Sequence, residues 1–149
     1  MNEQQLSKEE ITKIIVDNYS KNAFVALCGI NIANIECGVA TLTMKVESSK
    51  HTNMYSVVHG GALAALADTA LGAACASTGA RIVTIDYSIN FLKNIKAGDT
   101  AKSVARVLHR GHKVIVVEVA TYDSKDTLLT KLQGTAYVIG NFENIPEKW

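Results

Sequence analysis

The hydrophobic positions of the chain change period several times, and each change marks a predicted element. Ser7 followed three residues later by Glu10 forms a capping box, and the apolar positions that follow at helical spacing predict a short helix over about residues 7–21. Alternation of period two from Val39 to Val46 predicts a half-buried strand. Stretches rich in Val, Ile and Thr predict four more strands, over residues 81–92, 100–108, 113–122 and 128–139.

Between the first predicted strand and the other four lies a run that is apolar on nearly every face. Its Ala and Leu content predicts a helix from about Gly60 to Ala76 that ends before Gly79. Because so few polar residues interrupt it, we expect this helix to be buried on every side. One long helix with a meander of antiparallel strands indicates an α+β fold, and no repeat or linker divides residues 1–149, so we expect one domain.

Composition narrows the classes of function. Fifteen Lys and Arg against 14 Asp and Glu leave no general field for nucleic acid or an anionic membrane, so neither is an expected partner. The polar start MNEQQLSKEE lacks a secretory or mitochondrial pattern, which makes a cytosolic location the expectation. Cys28, Cys37 and Cys75 lack metal-ligand spacing and are expected to be small buried apolar residues.

Asp68 is the exception within the apolar run, since no other Asp, Glu, Lys or Arg occurs between His59 and Arg81. A buried, unpaired carboxylate costs several kcal/mol. It also opposes a membrane-spanning interpretation of the run by about 3 kcal/mol. We therefore expect Asp68 to face a specific polar partner.

Four short motifs carry a resemblance to a known family: Asn53, His59-Gly60-Gly61, Leu66-Ala67-Asp68 and Gly98-Asp99. Together they resemble the hotdog-fold thioesterases, in the branch that contains phenylacetyl-CoA thioesterase, over roughly residues 30–140. The resemblance implies a long central helix wrapped by a curved antiparallel sheet. It also implies homodimers that join sheets edge to edge, commonly paired into homotetramers, with active sites at the dimer interface. The implied reaction is hydrolysis of an acyl- or aryl-acyl-CoA to the free acid and coenzyme A, without metal or bound cofactor.

Helix geometry adds a mechanism to this resemblance. The free N–H groups at a helix start, here at Gly60, can polarise a thioester carbonyl. Asp68 lies eight residues further, about 12 Å along the axis, which is too far to act on the same carbonyl. The two groups would therefore have to meet across an interface between subunits. Asp68 is either a general base toward water or a nucleophile that forms an anhydride, and both remain open.

The resemblance also assigns roles to neighbouring residues. Asn53 would polarise the thioester, Thr84 would orient the attacking water, and Gly61 and Phe91 would contact the substrate. His59 is expected to anchor the turn by hydrogen bonding. In the strand that holds Thr84, alternation predicts an apolar face of Val83, Ile85, Tyr87, Ile89 and Phe91 and a polar face of Thr84, Asp86, Ser88 and Asn90.

Coenzyme A carries phosphates, which a chain of balanced charge must bind with a local patch. One turn offers four potentially cationic side chains around a glycine whose neighbouring N–H groups are expected to be open to an anion. This turn is His109-Arg110-Gly111-His112-Lys113. A metal site there is not expected, because no nearby carboxylate or thiol completes the coordination.

Two other functions remain as alternatives. The protein could bind acyl-CoA without hydrolysing it, or it could be a hotdog hydratase or dehydratase that uses His59 with Asp68. Serine and metal hydrolases are disfavoured, since the chain has no G-x-S-x-G, H-E-x-x-H or P-loop pattern.

Overall fold

Six antiparallel strands form one curved sheet around a long helix in the computed structural model, which describes residues 6–149. The helices are α1 (Lys8–Ser20), α2 (Ala23–Cys28), α3 (Ser48–His51) and α4 (Gly60–Ala76). The strands are β1 (Ile30–Glu36), β2 (Val39–Lys45), β3 (Ala80–Phe91), β4 (Thr100–Arg110), β5 (Val114–Tyr122) and β6 (Leu128–Asn141). Their order in the sheet is β1-β2-β4-β5-β6-β3, so β1 and β3 are the edges. The predicted α+β class is confirmed.

The central helix α4 has the bounds that its composition predicts. Its C-terminal part, from Ala73 to Ala76, is fully covered by the sheet. The expectation of burial on every side is wrong for the rest of the helix. One stripe is only half-buried because no element of the chain packs fully over it, and it consists of Ala64, Ala65, Asp68, Thr69 and Gly72.

The predicted N-terminal helix is confirmed as α1. Its capping box is formed, since the Glu10 N–H donates to Ser7 Oγ at 3.2 Å and the Ser7 N–H donates to Glu10 Oε2 at 2.8 Å. Ile11 and Ile15 are buried on its inner face. The far end of α1 brings Tyr19 against α4 at Gly72.

Three elements, α2, β1 and α3, were not predicted. Asn22 caps α2, accepting the Phe24 N–H at 3.1 Å, and Gly29 ends it at a φ of +67°. In β1 a register shift between Ile32 and Asn34 interrupts the pairing with β2. The buried positions therefore do not keep a period of two, which hides the strand from a search for alternation.

A second register shift corrects the predicted faces of β3. Pairing with β6 shifts between Thr84 and Asp86, so Ile85 is an extra residue that reverses the alternation. The inner face pairs with residues 130 to 138 of β6 and consists of Ile82, Thr84, Tyr87, Ile89 and Phe91. Thr84 therefore lies on the same face as Phe91, contrary to the prediction.

The C-terminal segment packs back over the end of α4. Trp149 donates its indole N–H to the Ser77 carbonyl at 2.7 Å, and Ile145 is buried. Gly79, at a φ of +74°, leaves room for the Ile145 carbonyl, which a side chain would overlap. This segment closes the end of the helix opposite Gly60.

The three cysteines differ in burial. Cys75 is fully buried, as expected, but Cys28 and Cys37 are only half-buried, which corrects that prediction for both. The Cys37 thiol lies 3.3 Å from the Glu147 carbonyl, to which it donates. Each is a free thiol.

Within residues 6–149, no helix combines the length and the apolar character that crossing a membrane would require.

Candidate active site

The start of α4 is held by hydrogen bonds from both sides of the turn. His59 caps the helix, since its Nδ1 accepts the Gly61 N–H at 2.8 Å. The His59 N–H in turn donates to the carbonyl of His51 at 2.7 Å, and the buried His51 ring lies 2.8 Å from the Cys28 carbonyl through its Nε2. His59 therefore anchors the turn, as expected of it.

Because of this cap, only one of the two glycines has a free backbone N–H. The Gly61 N–H is occupied by His59, whereas the Gly60 N–H has no acceptor among the described residues. The positive end of the helix dipole lies at the same place. Gly60, rather than Gly61, is therefore left with a backbone N–H that is available to a ligand.

A cavity of about 360 Å³ opens beside Gly60. The Phe91 ring lies against the glycine so closely that a Cβ at position 60 would be 3.2 Å from its atoms. Asn53 also lines this cavity, while its Oδ1 accepts the Tyr55 N–H at 2.9 Å. The Asn53 amide N–H₂ has no acceptor among residues 6–149 and stays available to a ligand. The structure thus brings Asn53, Gly60 and Phe91 together.

Asp68 has the polar partner that its apolar surroundings require. Thr84 donates its hydroxyl to Asp68 Oδ1 at 2.8 Å, from β3 to α4. The second carboxylate oxygen, Oδ2, has no partner among the described residues. Asp68 and Thr84 line a cavity of about 270 Å³ together with Ile85, Asp86 and Tyr87.

The sequence did not point to Tyr87 as a residue of this cavity. The register shift at Ile85 places Tyr87 on the inner face of β3 with Thr84, although their spacing is odd. No pattern in the chain marks the shift in advance, because Ile85 continues the apolar alternation.

The two cavities share no lining residue. Eight helical residues separate Gly60 from Asp68, which corresponds to about 12 Å. Within one chain, therefore, the Gly60 N–H and the Asp68 carboxylate line separate cavities.

The basic turn lies elsewhere, at the C-terminal end of α4. Arg110 donates through Nε to Thr78 Oγ1 at 3.1 Å and through its guanidinium to the Gly111 carbonyl. The Gly111 N–H donates to the Val114 carbonyl at 2.9 Å and is therefore not available to an anion. Arg110, Gly111 and His112 line a cavity of about 360 Å³ beside the C-terminal segment.

His109 and Lys113, the remaining residues of the basic turn, are exposed. The five residues stay together as a cationic surface, but the chain does not bring them to Gly60 or Asp68. In the part of the chain that the structure describes, no three His, Cys, Asp or Glu side chains are grouped to hold a metal ion.

A curved antiparallel sheet around one long helix is the hotdog fold, and the comparisons agree with it. Residues 55–130, just over half of the chain, match the model of the thioesterase superfamily. The chain is 33% identical over 122 residues to the acyl-coenzyme A thioesterase PaaI of Escherichia coli, covering 82% of this chain and 86% of that protein. The solved structure of E. coli PaaI superposes with a TM-score of 0.84 at 30% identity, covering 89% of this chain and 96% of that one.

Two further solved structures contain a bound ligand. A hypothetical thioesterase from Streptococcus pneumoniae, solved with coenzyme A, gives a TM-score of 0.78 at 28% identity and covers 85% of this chain and 98% of that one. A protein from Streptococcus mutans bound to acetyl CoA gives 0.73 at 32% identity, covering 76% and 91%. The chain belongs to the thioesterase superfamily and is a thioester hydrolase; the resemblance seen in its sequence is confirmed.

Proposed function

We propose that the protein hydrolyses an acyl- or aryl-acyl-CoA thioester to the free acid and coenzyme A. The observation that carries the proposal is the Asp68 carboxylate, which lines a cavity and is held there by the Thr84 hydroxyl at 2.8 Å. The acyl-CoA class is supported by the relatives, one of which is named an acyl-CoA thioesterase while two structures contain coenzyme A or acetyl CoA.

In the proposed reaction, the Gly60 N–H polarises the thioester carbonyl, with the Asn53 amide as a second donor. Asp68 takes a proton from water as the water oxygen adds to the carbonyl carbon. The C–S bond then breaks, and the sulfur of coenzyme A takes up the proton held by Asp68, which returns the carboxylate to its starting state. In the nucleophilic alternative, Asp68 itself attacks and water hydrolyses the resulting anhydride.

The hydrogen bond to Asp68 refines the role proposed for Thr84. Its hydroxyl proton is engaged by Asp68 Oδ1, so Thr84 orients the carboxylate directly. The free Oδ2 is then the atom that accepts the proton from water. Thr84 would thus orient the attacking water through Asp68.

A second copy of the chain would complete the site. The half-buried stripe of α4 contains Asp68, and the neighbouring β3 is a sheet edge that exposes Val83 and Ile85 by 47% and 58%. We propose that two chains join along β3 with their α4 helices antiparallel, so that Gly60 of one copy approaches Asp68 of the other. Pairing of two such homodimers into a homotetramer is part of the proposal.

The same arrangement gives the basic turn a place in substrate binding. If Gly60 lies opposite Asp68 of the second copy, the end of that copy's α4 lies eight residues further, about 12 Å beyond Gly60. The cations of its basic turn then lie away from the thioester, where the phosphates of a long substrate would be. Phe91 and Gly61 would contact the part of the substrate near the carbonyl. A cytosolic location, and a reaction without metal or bound cofactor, stay part of the proposal.

A thiol-release assay tests the proposed function. The protein is incubated with short-chain, long-chain and aromatic acyl-CoAs and a thiol reagent, with a substrate-free blank for the half-buried Cys28 and Cys37. We expect catalytic release of coenzyme A from at least one substrate. Tight acyl-CoA binding with no release would favour a binding protein. Loss of an enoyl-CoA chromophore without release would favour a hydratase.

A further inference from the structure

A second asparagine lines the cavity beside Gly60 and has no role in the proposed reaction. This residue is Asn94, which follows the end of β3 and shares the cavity of about 360 Å³ with Asn53, Gly60 and Phe91. The polar side chains that line the cavity are the two asparagine amides and the Lys93 ammonium, and no carboxylate is among them. What the amides offer to a ligand depends on which of their atoms are already engaged.

The oxygen of the Asn94 amide accepts two backbone hydrogen bonds. Asn94 Oδ1 accepts the Val58 N–H at 3.3 Å and the Ile95 N–H at 2.7 Å. Because backbone N–H groups can only donate, these partners identify the oxygen, and the other terminal atom of the amide is its NH₂ group. That NH₂ group has no acceptor among residues 6–149. Asn94 therefore offers a ligand its donors, in an orientation that two backbone groups fix.

Asn53 is arranged in the same way on the other segment of the cavity wall. Its Oδ1 accepts the Tyr55 N–H at 2.9 Å and the Val57 N–H at 3.4 Å, which leaves its NH₂ group to a ligand as well. Together with the Gly60 N–H, the two amides give this cavity three neutral donor groups without an acceptor among the described residues. The thioester carbonyl uses Gly60 and Asn53 in the proposed reaction. The third donor suits a second acceptor on the same substrate.

The hydrogen bond to Val58 limits the distance between Asn94 and the thioester. His59, which joins Val58 to Gly60, has the extended backbone angles φ −71° and ψ 133°, so the nitrogens of Val58 and Gly60 are about 7 Å apart. In an acyl-CoA, the amide carbonyl nearest the sulfur is separated from the thioester carbon by a chain that spans about 6 Å when extended. Every acyl-CoA contains this amide, whatever its acyl group. It is therefore a second acceptor at a suitable distance from the first.

We propose that Asn94 binds the leaving group of the substrate, with its NH₂ group donating to the amide carbonyl nearest the sulfur of coenzyme A. The inference rests on the proposed function and adds a second point of attachment to it. Gly60 and Asn53 hold the thioester carbonyl, and Asn94 holds the coenzyme A arm next to it. Because this bond is the same before and during the reaction, it contributes to substrate binding and leaves kcat unchanged.

Asn94→Asp removes the donor and keeps the contacts that hold the side chain. A carboxylate oxygen still accepts the N–H groups of Val58 and Ile95, so the Tm should match that of the parent protein. With an acyl-CoA, we expect KM to rise about tenfold while kcat stays within about twofold. Asn90→Asp is the matched control, because Asn90 is exposed on the outer face of β3 and the variant adds the same charge near the site. It should leave both constants unchanged.

Two uncharged thioesters with the same acyl group locate the acceptor on the substrate. An N-acetylcysteamine thioester retains the amide carbonyl nearest the sulfur, and an S-ethyl thioester lacks it. Relative to the parent protein, Asn94→Asp should lose about tenfold in kcat/KM on the first thioester and less than about twofold on the second. An equal loss on both would show that Asn94 acts on the thioester itself or through the position of Gly60, and would overturn the inference.

The kinetic constants for the acyl-CoA give a second decision. An unchanged KM in Asn94→Asp would refute the contact, and the same rise in Asn90→Asp would attribute the effect to charge alone. Either result, beside an active parent protein, overturns this inference and leaves the proposed function standing. A parent protein that releases no thiol from any acyl-CoA refutes the proposed function as well.

Discussion

Replacing Asp68 by Asn removes the proposed base and keeps the contact that holds it. The Asn side chain has nearly the same volume, and its amide oxygen can still accept the Thr84 hydroxyl that lies 2.8 Å from Asp68 Oδ1. The amide cannot take a proton from water or attack the carbonyl. Loss of a general base costs about 10²- to 10⁴-fold in rate, so kcat should fall at least about 100-fold, or about 2.7 kcal/mol.

The fold should not respond to this change. Asp68 is half-buried and makes no ion pair among the described residues, so the neutral amide leaves no charge uncompensated. We expect the Tm and the assembly mass of Asp68→Asn to match those of the parent protein. Asp68→Ala should lose as much kcat, since the lost proton acceptor is common to both variants.

The measurement is the initial rate of thiol release against acyl-CoA concentration, which gives kcat and KM separately. Asp86→Asn is the matched control, because Asp86 borders the same cavity but lies on the outer face of β3. It should keep kcat within about twofold of the parent value. Near-normal turnover by a folded Asp68→Asn protein, or an equal loss in Asp86→Asn, would refute the reasoning.

Three further predictions concern stability. Gly79→Ala should lower the unfolding free energy by more than about 2 kcal/mol, because it adds overlap with the C-terminal segment to left-handed strain. Gly98→Ala, at a φ of +93° with open space around it, should lower the unfolding free energy only by the left-handed backbone strain. Equal denaturation midpoints for the Gly79→Ala and Gly98→Ala proteins would contradict this. Thr130→Val removes a buried hydroxyl without a partner and should leave Tm unchanged or a few degrees higher; a clear drop would reveal a partner. The Thr127 N–H holds the pKa of Asp123 in the folded protein below its ordinary value of 3.8. The ionised Asp123 carboxylate therefore stabilises the fold above pH 3.8, and this stabilisation is lost as the pH falls through the lowered pKa of the folded state. Acid titration of unfolding should therefore show a weaker pH dependence for Asp123→Ala.

The parts of the fold that the sequence predicts are those whose signals are local. The bounds of α4 follow from its Ala and Leu content and its flanking glycines, and α1 follows from its capping box. The alternation in β2 likewise reflects one buried face along a regular strand.

Both errors in the strands have one physical cause, an extra residue. In β1 and in β3 a register shift moves the side chains beyond it to the opposite face, at Ile32 to Asn34 and at Thr84 to Asp86. Pairing partners far away in the chain determine where such a shift occurs. A single sequence contains no direct record of them.

Some residues of the candidate site are likewise recognisable from the local sequence, whereas others depend on contacts between elements distant in the chain. Asp68 stands out because its surroundings are apolar, and Gly60 because it begins a helix. Tyr87 does not stand out, since its place on the inner face of β3 depends on the register shift at Ile85. The Gly111 N–H is occupied by a hydrogen bond within the hairpin turn, and the charged residues beside it in the sequence do not indicate this bond.

The extra residue in β3 also limits how this strand can be altered. Thr84 and Phe91 are seven positions apart and both must face α4, one for the carboxylate and one for the helix start. In a regular strand this odd spacing would turn one of the two outward, so it is the extra residue at Ile85 that brings both to the same face. While that extra residue is kept, any other single insertion or deletion between them would turn one of the two outward. An alignment or a design that treats β3 as a regular strand would connect half of it to the wrong side of the sheet.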